Sequence, residues 1–442
     1  MKKHTMLAAA GLLVVILGLT LWSLSPRVTG IQTREQPLHG PQPLEIHFSR
    51  VMDPSSTAQS LSIVPDVEGE IRWNTAGDTL TFTPDQPWPS GTSIAVEVSR
   101  GPQSRLRLPL LNPTSWRLEV SPYLMTYLWP ADGNGSLFAL NPETGESREL
   151  ISHPAGIQDY EITQDGMQVY FSALTRDGVS TIYRYDRGQD TSLPLISCPG
   201  AICQNPSPSP EGRWLLYERI PQRENAPPGI VLYSLGNGES LPVGDPEHRL
   251  ENPRWSPGTW FSYYDASDQI YQIINPDTGE QLSFANETGG EGTWSPAGPS
   301  FVTTEIFNLT DTLATRHLMK FSIRENSLAD LTGDQFLEDA NPAYSPSGDY
   351  LAFGRKSVDP EEWTPGRQIW LLEDGRGQAF PLTSAVDYNH TGFAWHPSEL
   401  QLAYVRYNQA QLFEPPEIWL IQRSGEETYR LVINGYAPDW IP

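Results

Sequence analysis

The sequence is poor in positive charge and in cysteine. Its 442 residues include 29 lysines and arginines against 53 aspartates and glutamates, which gives a formal net charge of −24. A surface this acidic repels phosphate groups, so nucleic acid is not an expected partner. The only two cysteines, Cys198 and Cys203, have no accompanying histidine or further cysteine, which argues against a tetrahedral zinc site.

The motifs of several common enzyme classes are also absent. The sequence contains no Gly-x-Ser-x-Gly elbow, no His-Glu-x-x-His and no glycine-rich phosphate-binding loop. The eight histidines are scattered and form no close pair. These absences favour a protein with no catalytic residues, no metal and no cofactor.

Residues 1–30 differ in composition from the rest of the chain. Two lysines and a histidine precede a nearly uncharged apolar run at 6–24. The run is long enough to cross a bilayer as a helix, and the positive charges place the N-terminus in the cytoplasm. No small-x-small cleavage site follows the run, so we predict an uncleaved anchor. The prediction is a cytoplasmic tip at 1–4, a transmembrane signal anchor at 5–24 and a tether at 25–37, with the bulk of the chain in the periplasm or at the cell surface.

A hairpin signal recurs along most of the remaining sequence. In the copy at 341–349, Asn-Pro-Ala-Tyr-Ser-Pro-Ser-Gly-Asp, the second proline presets φ and the glycine tolerates positive φ, which predicts a tight turn between two strands. The spacing between copies is roughly 40–50 residues, the period of a four-stranded propeller blade. The turn positions are Gln164, Pro210, Pro257, Pro296, Pro346, Pro397 and Pro442.

The last copy, at 436–442, contains only the first strand of the unit. The segment near 137–146 has a third and a fourth strand but a poor opening hairpin. We therefore predict that the C-terminal strand completes the first blade and closes the ring, which removes the open sheet edges. This closure gives seven blades. Six blades are the alternative, because the copies near 160 and 293 are the least regular.

The Trp/Tyr-Ser-Pro-x-Gly turn followed by a hydrophobic strand resembles the TolB-like, WD40-like propeller repeat over residues 118–442. The resemblance implies a β-propeller and indicates little about a ligand. The family often has Asp-Gly after the proline, whereas this sequence has Glu211-Gly212, Ala297-Gly298 and Ser347-Gly348. We interpret the recurring aromatic residues as packing between blades.

Residues 38–110 contain short alternating strands separated by turns, which predict a small β-sandwich. The order of the motifs resembles the bacterial Ig-like domain of cell-surface proteins, and this resemblance implies a spacer or adhesive module. The matching residues are Phe48, Ser49, Met52, Asp53, Trp73, Phe82 and Pro84. The predicted fold is therefore all-β: a propeller preceded by an Ig-like sandwich and one N-terminal transmembrane helix.

Cys198 and Cys203 lie in a predicted turn between two blades. In an oxidising compartment outside the membrane, a local disulfide between them is favoured. The short loop that it closes would add little stability by the chain-entropy argument.

Three long insertions, at 219–229, 356–367 and 407–416, interrupt the same connection in different blades. They are therefore expected to project from one face of the propeller. Trp363 and Phe413 are the candidate partner contacts on these loops. The leading hypothesis is a membrane-anchored extracytoplasmic binding or scaffold protein whose partner is a protein of the cell envelope.

Paired carboxylates support a different hypothesis, a surface hydrolase or lyase that acts on glycans with carboxylates in the propeller funnel. The candidate pairs are Asp159 with Glu161, Glu361 with Glu362, and Asp334 with Glu338 and Asp339. Because spacing in sequence does not define pairing across blades, this hypothesis stays an alternative. Binding of a small ligand in the central channel is a third hypothesis.

Overall fold

A computed structural model describes residues 22–33, 37–38, 40, 42–86, 88–308, 314–333, 336–373, 376–426 and 428–441. The chain divides into two compact units, with the boundary between Tyr123 and Leu124. Residues 5–21 of the predicted anchor lie outside the described residues. Within the described part of the chain, no helix combines the length and the apolar character needed to span a membrane.

The first unit contains two antiparallel sheets that share one hydrophobic core. The first sheet has the order β1 (Val28–Thr33), β2 (Leu44–Phe48), β5 (Thr79–Pro84) and β4 (Gly69–Trp73). The second has the order β3 (Leu61–Val64), β6 (Ser93–Val98) and β7 (Thr114–Glu119), and a short helix α1 (Pro54–Ala58) precedes β3. Alternate side chains of β2, β5 and β6 form the core, with Ile46, Leu80, Ile94 and Val96 almost completely buried.

The second unit is built from antiparallel sheets, of which five have four strands. In the first of them, β8 (Leu124–Trp129), β9 (Ser136–Leu140) and β10 (Ser147–Ile151) are joined by the C-terminal strand β35 (Tyr436–Ile441). The other four use consecutive strands. Their strands are β11 (Asp159–Ile162), β12 (Gln168–Leu174), β13 (Ser180–Asp186) and β14 (Thr191–Cys198); β15 (Ala201–Pro208), β16 (Trp214–Pro221), β17 (Gly229–Ser234) and β18 (Ser240–Val243); β19 (Leu250–Trp255), β20 (Phe261–Asp265), β21 (Ile270–Asn275) and β22 (Glu280–Ala285); and β31 (Tyr388–Trp395), β32 (Gln401–Asn408), β33 (Glu417–Gln422) and β34 (Thr428–Ile433).

The remaining strands form an eight-stranded sheet made of two antiparallel groups. A single parallel pair, Arg316 with Glu338, joins the two groups. The strands are β23 (Thr293–Trp294), β24 (Ser300–Asn308), β25 (Ala314–Ser322), β26 (Ser327–Asp330), β27 (Leu337–Tyr344), β28 (Tyr350–Ser357), β29 (Gln368–Glu373) and β30 (Arg376–Pro381).

The first strands of several groups share a bulge that follows from the Asn-Pro element of the repeat. Asn205, Asn252 and Asn341 adopt positive φ values of 52°, 56° and 54°, in the left-handed region that asparagine tolerates better than most residues. Gly392 and Ala437 take the same conformation at the equivalent positions. The strand register shifts at each of these places. The bulge turns the residues after it toward the axis that the first strands surround.

The prediction that the C-terminal strand completes the first blade is confirmed. Strand β35 pairs antiparallel with β8, and Trp440 lies opposite Met125. The first strands also follow one another around a common axis: β35 and β15 both contact β11, and β31 contacts both β27 and β35.

Indole groups link adjacent sheets at the ends of these first strands. Trp440 Nε1 donates to the carbonyl oxygen of Ala394 at 3.0 Å, and Trp395 Nε1 donates to the carbonyl oxygen of Ala343 at 3.0 Å. The recurring tryptophans therefore pack between sheets, as the repeat pattern indicates.

Truncation of Trp440 should weaken the closure of the second unit. Replacing Trp440 with alanine removes a buried ring, and we expect a loss of about 3–5 kcal/mol in the free energy of unfolding. Trp440→Phe keeps most of the packing and should lose only about 1 kcal/mol, for the hydrogen bond to Ala394. Urea denaturation followed by circular dichroism measures both. Trp363→Ala, at an exposed loop position, is the control and should change stability by less than about 0.5 kcal/mol; a Trp440→Ala variant as stable as this control would contradict the expectation.

Candidate functional site

A ring of side chains lines the axis of the second unit. Each member occupies the equivalent position near the end of a first strand, as Arg254 does directly before Trp255. We call this set the channel ring: Glu161, Ser207, Arg254, Thr293, Ala343, Ala394 and Asp439. A cavity of about 480 Å³ lies against six of the seven, all except Ser207.

At several ring positions the backbone carbonyl links adjacent sheets, whereas the side chain takes no part in the link. The backbone carbonyls of Arg254, Ala343 and Ala394 accept the indole hydrogen bonds from the next sheet. In these three strands the side chain at the ring position lines the cavity and takes no part in the link, whereas the Ser207 hydroxyl accepts the backbone N–H of Trp255 at 3.0 Å. In the strands of Arg254, Ala343 and Ala394 the repeat therefore leaves one residue able to vary with function.

Two carboxyl groups, those of Asp439 and Glu161, face the cavity on neighbouring first strands. Enclosure by the channel walls, together with the Glu161 carboxylate, raises the pKa of Asp439 to about 7. Enclosure also raises the pKa of Glu161, and the Arg254 guanidinium opposes this shift. Both side chains are only half-buried by exposed area, since the channel gives them access to solvent. Asp439 is therefore a group that exchanges its proton near neutral pH.

Tyr160, the neighbour of Glu161 in sequence, forms a hydrogen bond to the closing strand β35. Its hydroxyl donates to the carbonyl oxygen of Ala437 at 2.6 Å and lies 3.0 Å from Thr126 Oγ1. Burial and the neighbouring Asp439 carboxylate hold the pKa of Tyr160 well above its usual value. Tyr160 is therefore neutral and acts as a fixed hydrogen-bonding wall of the cavity.

Asp159, two residues before Glu161, serves a different purpose. Its Oδ2 accepts the backbone N–H of Asn205 at 2.7 Å, and its Oδ1 accepts the Ser172 hydroxyl. Glu218 accepts the backbone N–H of Asn252 at 2.6 Å in the same way. These carboxylates satisfy the backbone of the asparagine bulge in the next sheet. The predicted pair of Asp159 and Glu161 thus has one structural member and one member at the cavity.

The described members of the other predicted carboxylate pairs do not line the cavity. Asp339 forms a buried ion pair with Arg355, with Oδ1 2.6 Å from Nε. Glu338 binds Lys356 at 3.0 Å and also binds Arg367. Glu361 and Glu362 lie exposed on the loop between β28 and β29, and Asp334 lies outside the described residues.

The residues singled out for disulfide formation are buried, whereas those singled out for partner contact are exposed. Cys198 and Cys203 form a disulfide with Cα atoms 6.2 Å apart, across the connection from β14 to β15. Trp363 is 58% exposed, and Phe413 is fully exposed. Both lie in connections between the second and third strands of their groups, on the side opposite the repeated turns.

One group of metal-ligand residue types lies outside the channel, among the residues that the structure covers. His248, Asp265 and Asp268 bring potential ligand atoms within 4.8 Å of one another. Asp265 already accepts His248 Nδ1 at 2.8 Å and the backbone N–H groups of Ser267 and Asp268. These hydrogen bonds explain the cluster as a turn and need no ion.

Sequence reasoning identified Glu161 but missed Arg254 and Asp439 as members of the site. Both stand in quoted copies of the repeat, Asn252-Pro253-Arg254-Trp255 and Ala437-Pro438-Asp439-Trp440. The signal that would have found them is a charged residue immediately before the terminal aromatic residue, where other copies have alanine or threonine.

Comparisons with known proteins define the fold. No protein-family model and no curated protein matches the sequence. An oligogalacturonate lyase solved with manganese is 12% identical, with a TM-score of 0.51 over 91% of this chain and 99% of that chain. TolB from Acinetobacter baumannii is 13% identical, with a TM-score of 0.47 over 87% of this chain and 83% of that chain. The β-propeller domain of the Trilobed protease from Pyrococcus furiosus is 10% identical, with a TM-score of 0.47 over 62% of this chain and 82% of that chain.

The second unit is a β-propeller. Its four-stranded antiparallel sheets, with their first strands around one axis, have this architecture. Similarity to the oligogalacturonate lyase, at 12% identity and a TM-score of 0.51, supports a shared fold and leaves the activity of this chain to its own residues.

The raised pKa of Asp439 should make stability depend on pH. A carboxyl whose pKa rises from 3.8 to about 7 on folding binds its proton more tightly in the native state, so stability falls as pH rises between these values. Asp439→Asn should abolish this component, because the amide does not titrate. We expect the variant to melt at a higher temperature than the wild type at about pH 8 and at the same temperature at about pH 4.

Thermal denaturation at the two pH values measures the effect. Glu161, Arg254 and Tyr160 are the other charged or titratable groups at this carboxyl and remain unchanged in the variant. Asp177→Asn, in the exposed turn after β12, is the matched control. An equal shift in melting temperature at both pH values would contradict the titration of Asp439.

Proposed function

We propose that this protein is a membrane-anchored extracytoplasmic scaffold that recognises a protein partner through one face of its propeller. The observation that carries the proposal is the exposure of large apolar side chains on two long loops of neighbouring blades. Trp363, Leu412 and Phe413 are 58%, 75% and 103% exposed. Exposed aromatic residues on loops held by a rigid scaffold are typical of interface anchors.

The bases of both loops are held in place. The loop between β28 and β29 is flanked by Lys356 and Arg367, which both bind Glu338. In the loop between β32 and β33, Asn408 Nδ2 donates to Glu414 Oε2 at 3.0 Å. A loop with fixed ends loses less conformational entropy on binding, which favours recognition.

The chemistry around the anchors indicates the kind of partner. Asp359, Glu361 and Glu362 precede Trp363 on its loop, and Glu414 follows Phe413. The formal net charge of −24 extends this negative field over the whole protein. A protein surface with apolar pockets and a basic rim would complement this face.

The remaining architecture is proposed to present this face away from a membrane. The apolar run at 5–24 would be the anchor, residues 25–37 the tether and residues 38–110 an Ig-like spacer. The propeller would have seven blades, with the eight-stranded sheet counted as two. The disulfide between Cys198 and Cys203 supports an oxidising compartment, since disulfides persist outside the cytoplasm.

Loss of the two aromatic anchors should abolish partner capture. Crosslinking in membranes and affinity capture with the full-length protein would be compared with Trp363→Ala and Phe413→Ala variants. Both residues are exposed, so the variants should fold as the wild type does, and the captured partner should be reduced about tenfold or more. The capture should also weaken as salt increases, because the acidic rim contributes by charge.

Leu400→Ala is the matched control for partner capture. Leu400 is 56% exposed in the turn between β31 and β32, at the other end of the propeller. This variant removes a comparable exposed apolar side chain and should capture the partner normally. Equal capture by all variants would refute the proposed face.

A second candidate function is a lyase or hydrolase that acts on glycans. The observation that favours it is the presence of Glu161, Asp439 and Arg254 at one cavity. A carboxyl with a pKa of about 7 can donate or accept a proton near neutral pH, and a guanidinium can bind the carboxylate of a uronic acid.

Incubation with acidic polysaccharides tests this candidate. Lyase activity would appear as ultraviolet absorbance of an unsaturated product, and hydrolysis as new reducing ends. If the candidate is correct, Glu161→Gln should lower the rate by a factor of about 100 or more, the usual contribution of general acid–base catalysis. Turnover that survives in both Glu161→Gln and Asp439→Asn would exclude the channel as its site.

A further inference from the structure

Three charged side chains line the central cavity and form no hydrogen bonds with one another. Among the described residues, the Arg254 guanidinium and the Glu161 carboxylate form no hydrogen bond or close ion pair, and the Asp439 carboxyl accepts only the backbone N–H of Trp440 at 2.8 Å. Arg254 acts on the two acids through the longer-range attraction between opposite charges. Charged groups in a partly enclosed channel retain much of their electrostatic strength. These three groups are therefore available to a ligand.

The charges are separated around the channel ring. Asp439 and Glu161 lie on the neighbouring strands β35 and β11, whereas Arg254 lies on β19, beyond β15. Ala343 and Ala394 occupy the ring positions of β27 and β31, and their small side chains leave open the space into which the cavity extends. The ring thus has an acidic side, a basic side and a side formed by small alanine side chains.

We propose that this cavity binds a compact zwitterion, a molecule that carries an ammonium group for Glu161 and Asp439 and a carboxylate group for Arg254. An α-amino acid and a dipeptide both have this chemistry. The cavity of about 480 Å³ lies within the range of about 300–1,000 Å³ that is typical of small-molecule sites. Tyr160 and Phe393 supply the aromatic walls.

Other ligand classes fit this ring less well. A simple anion that bound Arg254 would face two carboxyl groups, and a simple cation would face the guanidinium. A metal ion needs several ligand atoms close together. Within the described chain, the cluster of His248, Asp265 and Asp268 satisfies this condition, whereas Glu161 and Asp439 belong to no such cluster. A zwitterion satisfies both signs of charge at once.

The cavity lies at the end of the channel away from the aromatic loops. Its lining includes Pro296, Ser345 and Pro346, which belong to the turns between first and second strands. Trp363 and Phe413 lie in connections between second and third strands, at the other end of the blades. The site is therefore distinct from the proposed partner face, and variants of the two sites test separate claims.

Isothermal titration calorimetry of the full-length, detergent-solubilised protein tests the proposal. The probes are a panel of amino acids with neutral, basic and acidic side chains and a matched panel of dipeptides. An alkylamine and acetate, each with one charge only, complete the set. We expect binding of at least one zwitterion and at least tenfold weaker binding of the single-charge probes. The preference between the two panels distinguishes an amino acid from a dipeptide.

Three variants connect the binding to the channel ring. Glu161→Gln and Arg254→Gln should each lower the affinity for the zwitterion about tenfold or more, because each variant loses a hydrogen bond to a charged group. Ala343→Leu keeps all charges and fills the cavity, so it should also abolish binding. Arg213→Gln, at an exposed turn where Arg213 binds Asp277, is the matched control and should bind normally.

Two results would overturn the proposal. One is the absence of heat from every zwitterion at millimolar concentration with the folded wild-type protein. The other is unchanged affinity in Ala343→Leu together with either charge variant. Circular dichroism of each variant identifies a folding defect, and Ala343→Leu keeps the test valid if a charge variant fails to fold.

Discussion

The pairing of β35 with β8 is the constraint on which the propeller depends. These strands come from the two ends of the second unit, and their pairing satisfies the backbone groups that β8 would otherwise leave at an open edge. Tyr160 and Ala437, 277 residues apart in sequence, share a hydrogen bond at this junction. The acidic side of the channel ring exists only because the closure brings Asp439 next to Glu161. Fold and candidate site therefore depend on the same long-range pairing.

Structural and functional duties are divided between neighbouring residues of the repeat. The terminal tryptophans supply buried area and indole hydrogen bonds, and the asparagine bulges are held by Asp159 and Glu218. At Arg254, Ala343 and Ala394 the channel-ring residue contributes its backbone carbonyl to the indole links, so these links place no demand on its side chain. This explains how one first strand carries arginine, another carries aspartate and two carry alanine without a change in the architecture.

The sequence was sufficient to predict features that repeat or are local. The strand periodicity, the turns, the closing C-terminal strand and the equivalent position of the loops with Trp363 and Phe413 all follow from the spacing of about 40–50 residues. The partners of individual carboxylates did not follow from it. Asp339 and Glu338 look like Glu161 in sequence, yet their cross-strand neighbours are Arg355 and Lys356, which neutralise them. Which acids stay free depends on such pairings in three dimensions.

The rigidity of the framework also determines how the two ends of the propeller can communicate. Coupling between two sites requires an element with two arrangements that both ligands bias. The buried pair of Arg355 with Asp339 lies on the side of the channel ring that leads to the loop face, whereas the indole links at Trp395 and Trp440 lie at the turn end. A ligand in the cavity that moved Trp363 through this blade would have to disturb the pair of Arg355 with Asp339. Asp439 lies on the closing strand, where its carboxyl accepts the backbone N–H of Trp440, so a change in its charge acts on the stability of the ring more directly than on the shape of the loops.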